Sequence, residues 1–89
     1  MISNEDKIKV EEIAKKYNVS KLYLFGSNLD SNRVANDIDL AVEGIEHALF
    51  FKFYSEFIFS LSKPVDVLDL NKKSLFSDLI RSEGILLYG

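Results

Sequence analysis

The sequence predicts a small α/β (α+β) domain in which a mixed β-sheet packs against helices. Along the chain, segments with apolar residues at helical spacing come between segments that have the pattern of strands. Such a succession of helices and strands is typical of this fold class. The 89 residues are enough for one domain, residues 1–89, and for no more. Hydrophobic residues make up 47% of the chain, which supports a core of modest size.

The first predicted element is a helix that begins near Ser3, because Ser3 and Asp6 have the spacing of a capping box. Its apolar positions fall on one helical face: Val10, Ile13, Ala14 and Tyr17. Asn18 marks its end. Residues 21–25 are rich in leucine and aromatic residues, which predicts a buried strand that Gly26 stops.

A polar connection over residues 27–36, which holds a short helix or a loop, leads to a second predicted strand at residues 37–43. Side chains alternate across a strand, so Asp37, Asp39 and Ala41 share one face. The opposite face is apolar and consists of Ile38, Leu40 and Val42. This pattern is typical of a half-buried strand.

The longest predicted helix covers residues 46–62 and has a broad aromatic face. The residues of that face are Phe50, Phe51, Phe53, Tyr54, Phe57, Ile58 and Leu61. Phe59 falls on the polar face instead, which suggests a contact with a second copy or with a partner protein. A strand at residues 65–70, a helix at 75–82 capped by Ser74, and a strand at 85–88 complete the order.

Composition and charge exclude several classes of function. The chain has no cysteine, which excludes disulfides, thiolate zinc sites and cysteine nucleophiles and fits a reducing cytoplasm. No apolar run is long enough for a membrane span, and the N-terminus does not resemble a signal peptide. A net charge of −3 without a basic block gives no basis for direct nucleic-acid binding.

The residues that indicate chemistry are Gly26-Ser27 and the Asp37-x-Asp39 pair. A Gly-Ser turn can offer backbone N–H groups to a phosphate. Neighbouring carboxylates repel each other unless a cation lies between them. Asp66 joins this pair if its strand lies beside the strand of Asp39, and three carboxylates suit one or two Mg²⁺ ions that also bind substrate phosphates.

Each of these fragments alone has an ordinary structural explanation, as a turn, a solvated carboxylate or a strand end. Their combination is far more specific to a metal-dependent site for a nucleoside triphosphate. Asp69 is a weaker third carboxylate, because it faces away from Asp66. His47 is expected at a helix start on the surface, and Lys21 and Arg33 as solvated charges.

These motifs resemble those of the minimal nucleotidyltransferases of the DNA polymerase β superfamily. The resemblance rests on Gly26-Ser27, a spacer over residues 28–36, the run Asp37-Ile38-Asp39, and Val65-Asp66-Val67. It covers nearly the whole chain. Asn28 stands where an arginine is common, which affects triphosphate affinity, and Asn36 stands where a serine often precedes the first aspartate.

The resemblance implies an activity, a site and a partner. Gly26 and Ser27 would contact the triphosphate, and Asp37 and Asp39 would bind Mg²⁺. Asp66 would complete the metal site and favour deprotonation of the acceptor. Family members of this size are often encoded beside a small helical HEPN-family protein. In several such pairs the nucleotidyltransferase is an antitoxin that transfers AMP from ATP to a tyrosine of the HEPN toxin. The alternatives are a non-catalytic antitoxin that binds nucleotide and its toxin, and nucleotidyl transfer to a small molecule, whose enzymes carry a further domain.

Overall fold

A computed structural model describes residues 2–26, 37–71 and 74–89 of the chain. The described helices are α1 (Asn4–Lys16), α2 (Phe50–Ser60) and α3 (Leu75–Glu83), and a 3-10 turn at His47–Leu49 precedes α2. The strands are β1 (Lys21–Phe25), β2 (Ile38–Glu43), β3 (Val65–Asp69) and β4 (Ile85–Tyr88). This order confirms the predicted fold class. The predicted helix or loop at residues 27–36 lies outside the described residues.

The four strands form one mixed sheet in the order β3-β2-β1-β4. β1 runs antiparallel to both β2 and β4, whereas β2 and β3 are parallel. A parallel pair needs a long crossover connection, and α2 provides it between β2 and β3. The sheet therefore places the beginnings of β2 and β3 side by side.

One face of the sheet packs against α1 and α2. Ile38, Leu40 and Val42 are fully or almost fully buried on this face, as the alternation in the sequence predicts. Phe53 and Phe57 of α2 enter the same cluster, with their ring centroids 4.8 Å apart in an edge-to-face arrangement. These residues form the main core.

The other face of the sheet is partly covered by α3. Tyr23, Ala41, Leu70 and Ile80 form a second buried cluster there. The prediction that β2 is buried on one face only is therefore wrong at Ala41, where the residue has no exposed surface. The alternation of apolar and polar residues in β2 shows which residues share a face, but it does not show that α3, which begins only at Leu75, covers the second face.

Two helix caps confirm signals in the sequence. The Ser3 hydroxyl accepts a hydrogen bond from the Asp6 backbone N–H (3.2 Å), and Ser74 and Ser77 form a capping box at the start of α3. Asp6 is buried, and its carboxylate accepts hydrogen bonds from the backbone N–H (3.1 Å) and the hydroxyl (2.5 Å) of Ser62. The start of α1 is thereby linked to the segment that follows α2.

The aromatic face of α2 is narrower than predicted. Phe53 and Phe57 are buried, but Phe51 is 81% exposed and Ile58 is 55% exposed. A helix on one face of a sheet buries a limited stripe, and these two residues lie outside it. Phe59 is exposed as predicted. In the part of the chain that the structure describes, no helix is both long and apolar enough to cross a bilayer.

Candidate active site

Three adjacent strands bring the predicted site residues to one end of the sheet. In the pairing of the strands, Phe25 lies opposite Asp39, and Asp39 lies opposite Asp66. Gly26 follows Phe25 directly, and Asp37 comes just before β2. The prediction that β3 lies beside β2, on which the role of Asp66 depends, is confirmed by this register.

Asp39 and Asp66 lie on the same face of the sheet. Residues opposite each other in neighbouring parallel strands project to the same side, and here that side is the one that α3 partly covers. The buried cluster under α3 includes Ala41 and Leu70, which lie further along the same strands. At Asp39 the side chain is only half-buried, and Asp66 is exposed. The carboxylates thus stand at the open end of this face.

The charges of these carboxylates act on one another. Burial raises the pKa of Asp39, and the negative charges of Asp66 and Asp37 raise it further. Asp39 is therefore the residue at which all three charges meet. A divalent cation at this point would favour its ionised form, because it would replace the repulsion by attraction.

Gly26, directly after β1, lies against the Asp39 carboxylate. Its φ of +74° lies in the left-handed region, which favours glycine. A Cβ atom at this position would collide with Oδ2 of Asp39. The lack of a side chain at Gly26 therefore leaves room for the Asp39 carboxylate beside the end of β1. Ser27, the other predicted triphosphate contact, lies outside the described residues.

The chemistry of the donors fits Mg²⁺, which prefers carboxylate oxygens and usually completes its shell with water and substrate phosphates. Within residues 2–26, 37–71 and 74–89, however, no three Asp, Glu, His or Cys side chains already converge as a metal cage. Assignment of Asp37, Asp39 and Asp66 as the metal ligands therefore stays a prediction.

Tyr54 of α2 is a site residue that sequence reasoning missed. Its hydroxyl donates hydrogen bonds to Oδ1 of Asp66 (3.2 Å) and to the backbone carbonyl of Val65 (3.3 Å). Burial raises the pKa of Tyr54, so the hydroxyl keeps its proton and remains a donor. The sequence predicts Tyr54 on the apolar face of the helix, as part of the core. A tyrosine hydroxyl usually needs a hydrogen-bond partner when the ring is buried, and this requirement is the one sign in the sequence that Tyr54 contacts a polar residue.

The remaining candidates lie elsewhere. Asp69 is on the opposite face of β3 from Asp66, as predicted, and its carboxylate accepts a hydrogen bond from the backbone N–H of Asn71 (2.9 Å). Lys21 lies opposite Glu43 in the register of β1 and β2, at the other end of β1 from Gly26. His47 is exposed at the start of the 3-10 turn, as expected for a surface residue. Arg33 lies outside the described residues.

Comparison with protein families agrees with this geometry. The family model described as polymerase beta, nucleotidyltransferase, matches residues 8–89. The chain belongs to the polymerase β nucleotidyltransferase family. Its four-stranded mixed sheet with helices on both faces is the nucleotidyltransferase fold, as the sequence predicted. None of the curated proteins matches the chain.

Solved structures share this nucleotidyltransferase fold. A crystal structure of a toxin-antitoxin with AMP-PNP has a TM-score of 0.74 at 26% identity, over 98% of this chain and 74% of that one. The toxin-antitoxin MntA-HepT has a TM-score of 0.73 at 20% identity, over 98% and 73% of the two chains. A protein from Shewanella oneidensis has a TM-score of 0.73 at 21% identity, over 98% and 73%. At these lower identities the last two support the fold alone.

Proposed function

We propose that this nucleotidyltransferase is an antitoxin that transfers AMP from ATP to a tyrosine hydroxyl of a HEPN-family toxin. The observation that carries the proposal is the register in which Asp39 lies opposite Asp66, with Gly26 against the Asp39 carboxylate. Such an arrangement of carboxylates beside exposed backbone suits phosphoryl-type transfer, which depends mainly on positioning and charge neutralisation.

Each residue has a defined task in this reaction. Mg²⁺ held by Asp37, Asp39 and Asp66 would neutralise charge on the phosphates. Gly26 and Ser27 would bind the triphosphate through backbone N–H groups. The tyrosine oxygen of the acceptor attacks the α-phosphorus, the bond to pyrophosphate breaks, and Asp66 takes the proton. Tyr54 would keep the Asp66 carboxylate at the edge of the sheet through its hydrogen bond.

Two findings support the proposal. The similar structure at 26% identity is a toxin-antitoxin with AMP-PNP, which is an analogue of ATP. The family model covers residues 8–89, so the match includes all of the carboxylates invoked here. A toxin partner with its own tyrosine would supply both the acceptor hydroxyl and the surface that recognises this chain.

The test is transfer of label from ATP, labelled on its α-phosphate, to the protein encoded by the adjacent gene. We expect Asp39→Asn and Asp66→Asn to lower the rate of transfer by about 100-fold or more, since even outer-shell partners of a metal site contribute about 10–100-fold. The matched control is Asp69→Asn, which removes a carboxylate from the same strand but on its opposite face. Labelling that survives in the Asp39→Asn variant would contradict the proposal.

A second candidate function is neutralisation of the toxin by complex formation alone. The exposed aromatic residues Phe51 and Phe59 on α2 favour it, because they offer apolar surface to a partner without involving the carboxylates. The discriminating measurement is growth of cells that express the toxin with either form of this chain. Equal rescue by wild type and Asp39→Asn supports complex formation, whereas rescue by the wild type alone supports transfer.

A further inference from the structure

An apolar groove of about 310 Å³ adjoins the carboxylates on the side of α3. Phe25 and Gly26 line it from the end of β1. The other lining residues come from α3 and the residue after it: Phe76, Leu79, Ile80, Glu83 and Gly84. Gly26 therefore connects the groove with the carboxylates, since its backbone lines the groove and also lies against the Asp39 carboxylate.

We propose that this groove binds the adenine base of ATP. The inference rests on the proposed function, in which the phosphates lie at Gly26 and the carboxylates. In a nucleotide, a single ribose links the base to the α-phosphate. If the phosphates lie at Gly26 and the carboxylates, the base must therefore occupy space that adjoins Gly26. Among the described residues, the groove is the apolar cavity that meets this condition.

The side chains of the groove suit a flat aromatic ligand. Phe76 and Leu79 both line the groove, and each is 52% exposed. Phe25 contacts the Phe76 ring edge-to-face, with the ring centroids 6.1 Å apart and an interplanar angle of 84°. This contact orients the Phe76 ring and leaves apolar surface open to a base, which binds well to aromatic side chains.

The charge of the groove selects the base over the phosphates. Glu83 is its charged lining residue, and the described lining includes no cation. A carboxylate repels phosphate but accepts hydrogen bonds from an amino group. Adenine carries such an amino group, whereas hypoxanthine has a carbonyl oxygen in its place. Glu83 therefore favours adenine over hypoxanthine in the groove.

Gly84 adds bare backbone to the lining of the groove. A Cβ atom at Gly84 would lie 2.6 Å from the carbonyl oxygen of Ile80 and 3.2 Å from that of Leu24, so glycine is the residue that fits where the chain passes from α3 to β4.

The experiment compares the binding of Mg²⁺-ATP and of Mg²⁺-tripolyphosphate, which lacks the base, by isothermal titration calorimetry. We expect Phe76→Ala to weaken ATP binding about tenfold or more and to leave tripolyphosphate binding unchanged. Leu75→Ala is the matched control, because Leu75 is 90% exposed on the same helix but does not line the groove. It should change neither affinity.

ATP binding by Phe76→Ala that equals wild-type binding would overturn the inference, and so would an equal loss of both ligands. If the wild type binds no tripolyphosphate, the proposed triphosphate site fails independently, and adenosine is then titrated instead. Weaker adenosine binding by Phe76→Ala supports the groove, and unchanged binding overturns it. Glu83→Gln adds a readout of base choice: the preference for ATP over ITP should decrease, and an unchanged preference would contradict the role of Glu83.

Discussion

Gly26 lies where the Asp39 carboxylate and the apolar groove meet. Its backbone lies between the Asp39 carboxylate and the apolar groove, and its positive φ keeps the chain in a conformation that other residues rarely adopt. In the sequence, Gly26 indicated only a turn with a possible phosphate contact. Its contact with Asp39 depends on the pairing of β1 with β2, which local sequence does not reveal.

Gly26→Ala should therefore reduce transfer activity by more than the destabilisation of the fold alone would cause. The added methyl group would displace Asp39, and the left-handed backbone would be strained by about 1 kcal/mol or more. Gly44→Ala is the matched control, since Gly44 has a φ of +82° and would meet Ser20 at the other end of the sheet. Urea unfolding should show similar destabilisation for both variants, and label transfer should fall strongly only for Gly26→Ala. Equal activity of the two variants would contradict this role.

At the scale of elements, α1 and α2 are joined by a charged cluster at the surface. The Tyr17 hydroxyl and Lys16 Nζ both donate hydrogen bonds to the Glu56 carboxylate, the latter at 3.0 Å. The hydrogen bond from Tyr17 is the main reason that the pKa of Glu56 is lowered, and Lys16 lowers it further. Burial and the same carboxylate raise the pKa of Tyr17 to about 12.

The cluster predicts a pH-dependent contribution to stability. A carboxylate with a lowered folded-state pKa stabilises the fold above its unfolded value, near 4.5, and loses this contribution as the pH falls through the folded value. Glu56→Gln should reduce the free energy of unfolding by about 1 kcal/mol at pH 7. This difference should shrink steadily below pH 4.5. Chemical denaturation of both proteins across this pH range provides the measurement, and a difference independent of pH would exclude the ionised form as its cause.

Elements differ in how far they could be predicted from sequence. The alternation of Ile38, Leu40 and Val42 and the cap at Ser74 are local signals, and the structure has both. Burial of Ala41 and exposure of Phe51 depend on which helices pack where, and neither is encoded locally. In the candidate site, too, some features could be predicted from local sequence and others depend on tertiary packing. The carboxylates could be found by motif, but the hydrogen bond from Tyr54 to Asp66 joins residues on separate elements.

At the scale of the whole molecule, ligand binding should have a large effect on thermal stability. ATP at about 100 times its Kd adds about 2.7 kcal/mol to the free energy of unfolding. For a chain of 89 residues this raises Tm by roughly 10 °C or more. Differential scanning fluorimetry should show the increase with ATP and Mg²⁺ together, and EDTA should abolish most of it. An increase that persists in EDTA would argue against metal-dependent binding of the triphosphate.

The pairing of β2 with β3 also makes enzymatic activity a measure of correct folding. If β3 shifted by one residue, Val65 or Val67 would lie opposite Asp39, and Asp66 would turn into the apolar layer between the sheet and α2. Such a molecule could keep most of its secondary structure and still lack the carboxylate cluster. Specific activity would then report the fraction of chains in the native register, a quantity that circular dichroism does not distinguish.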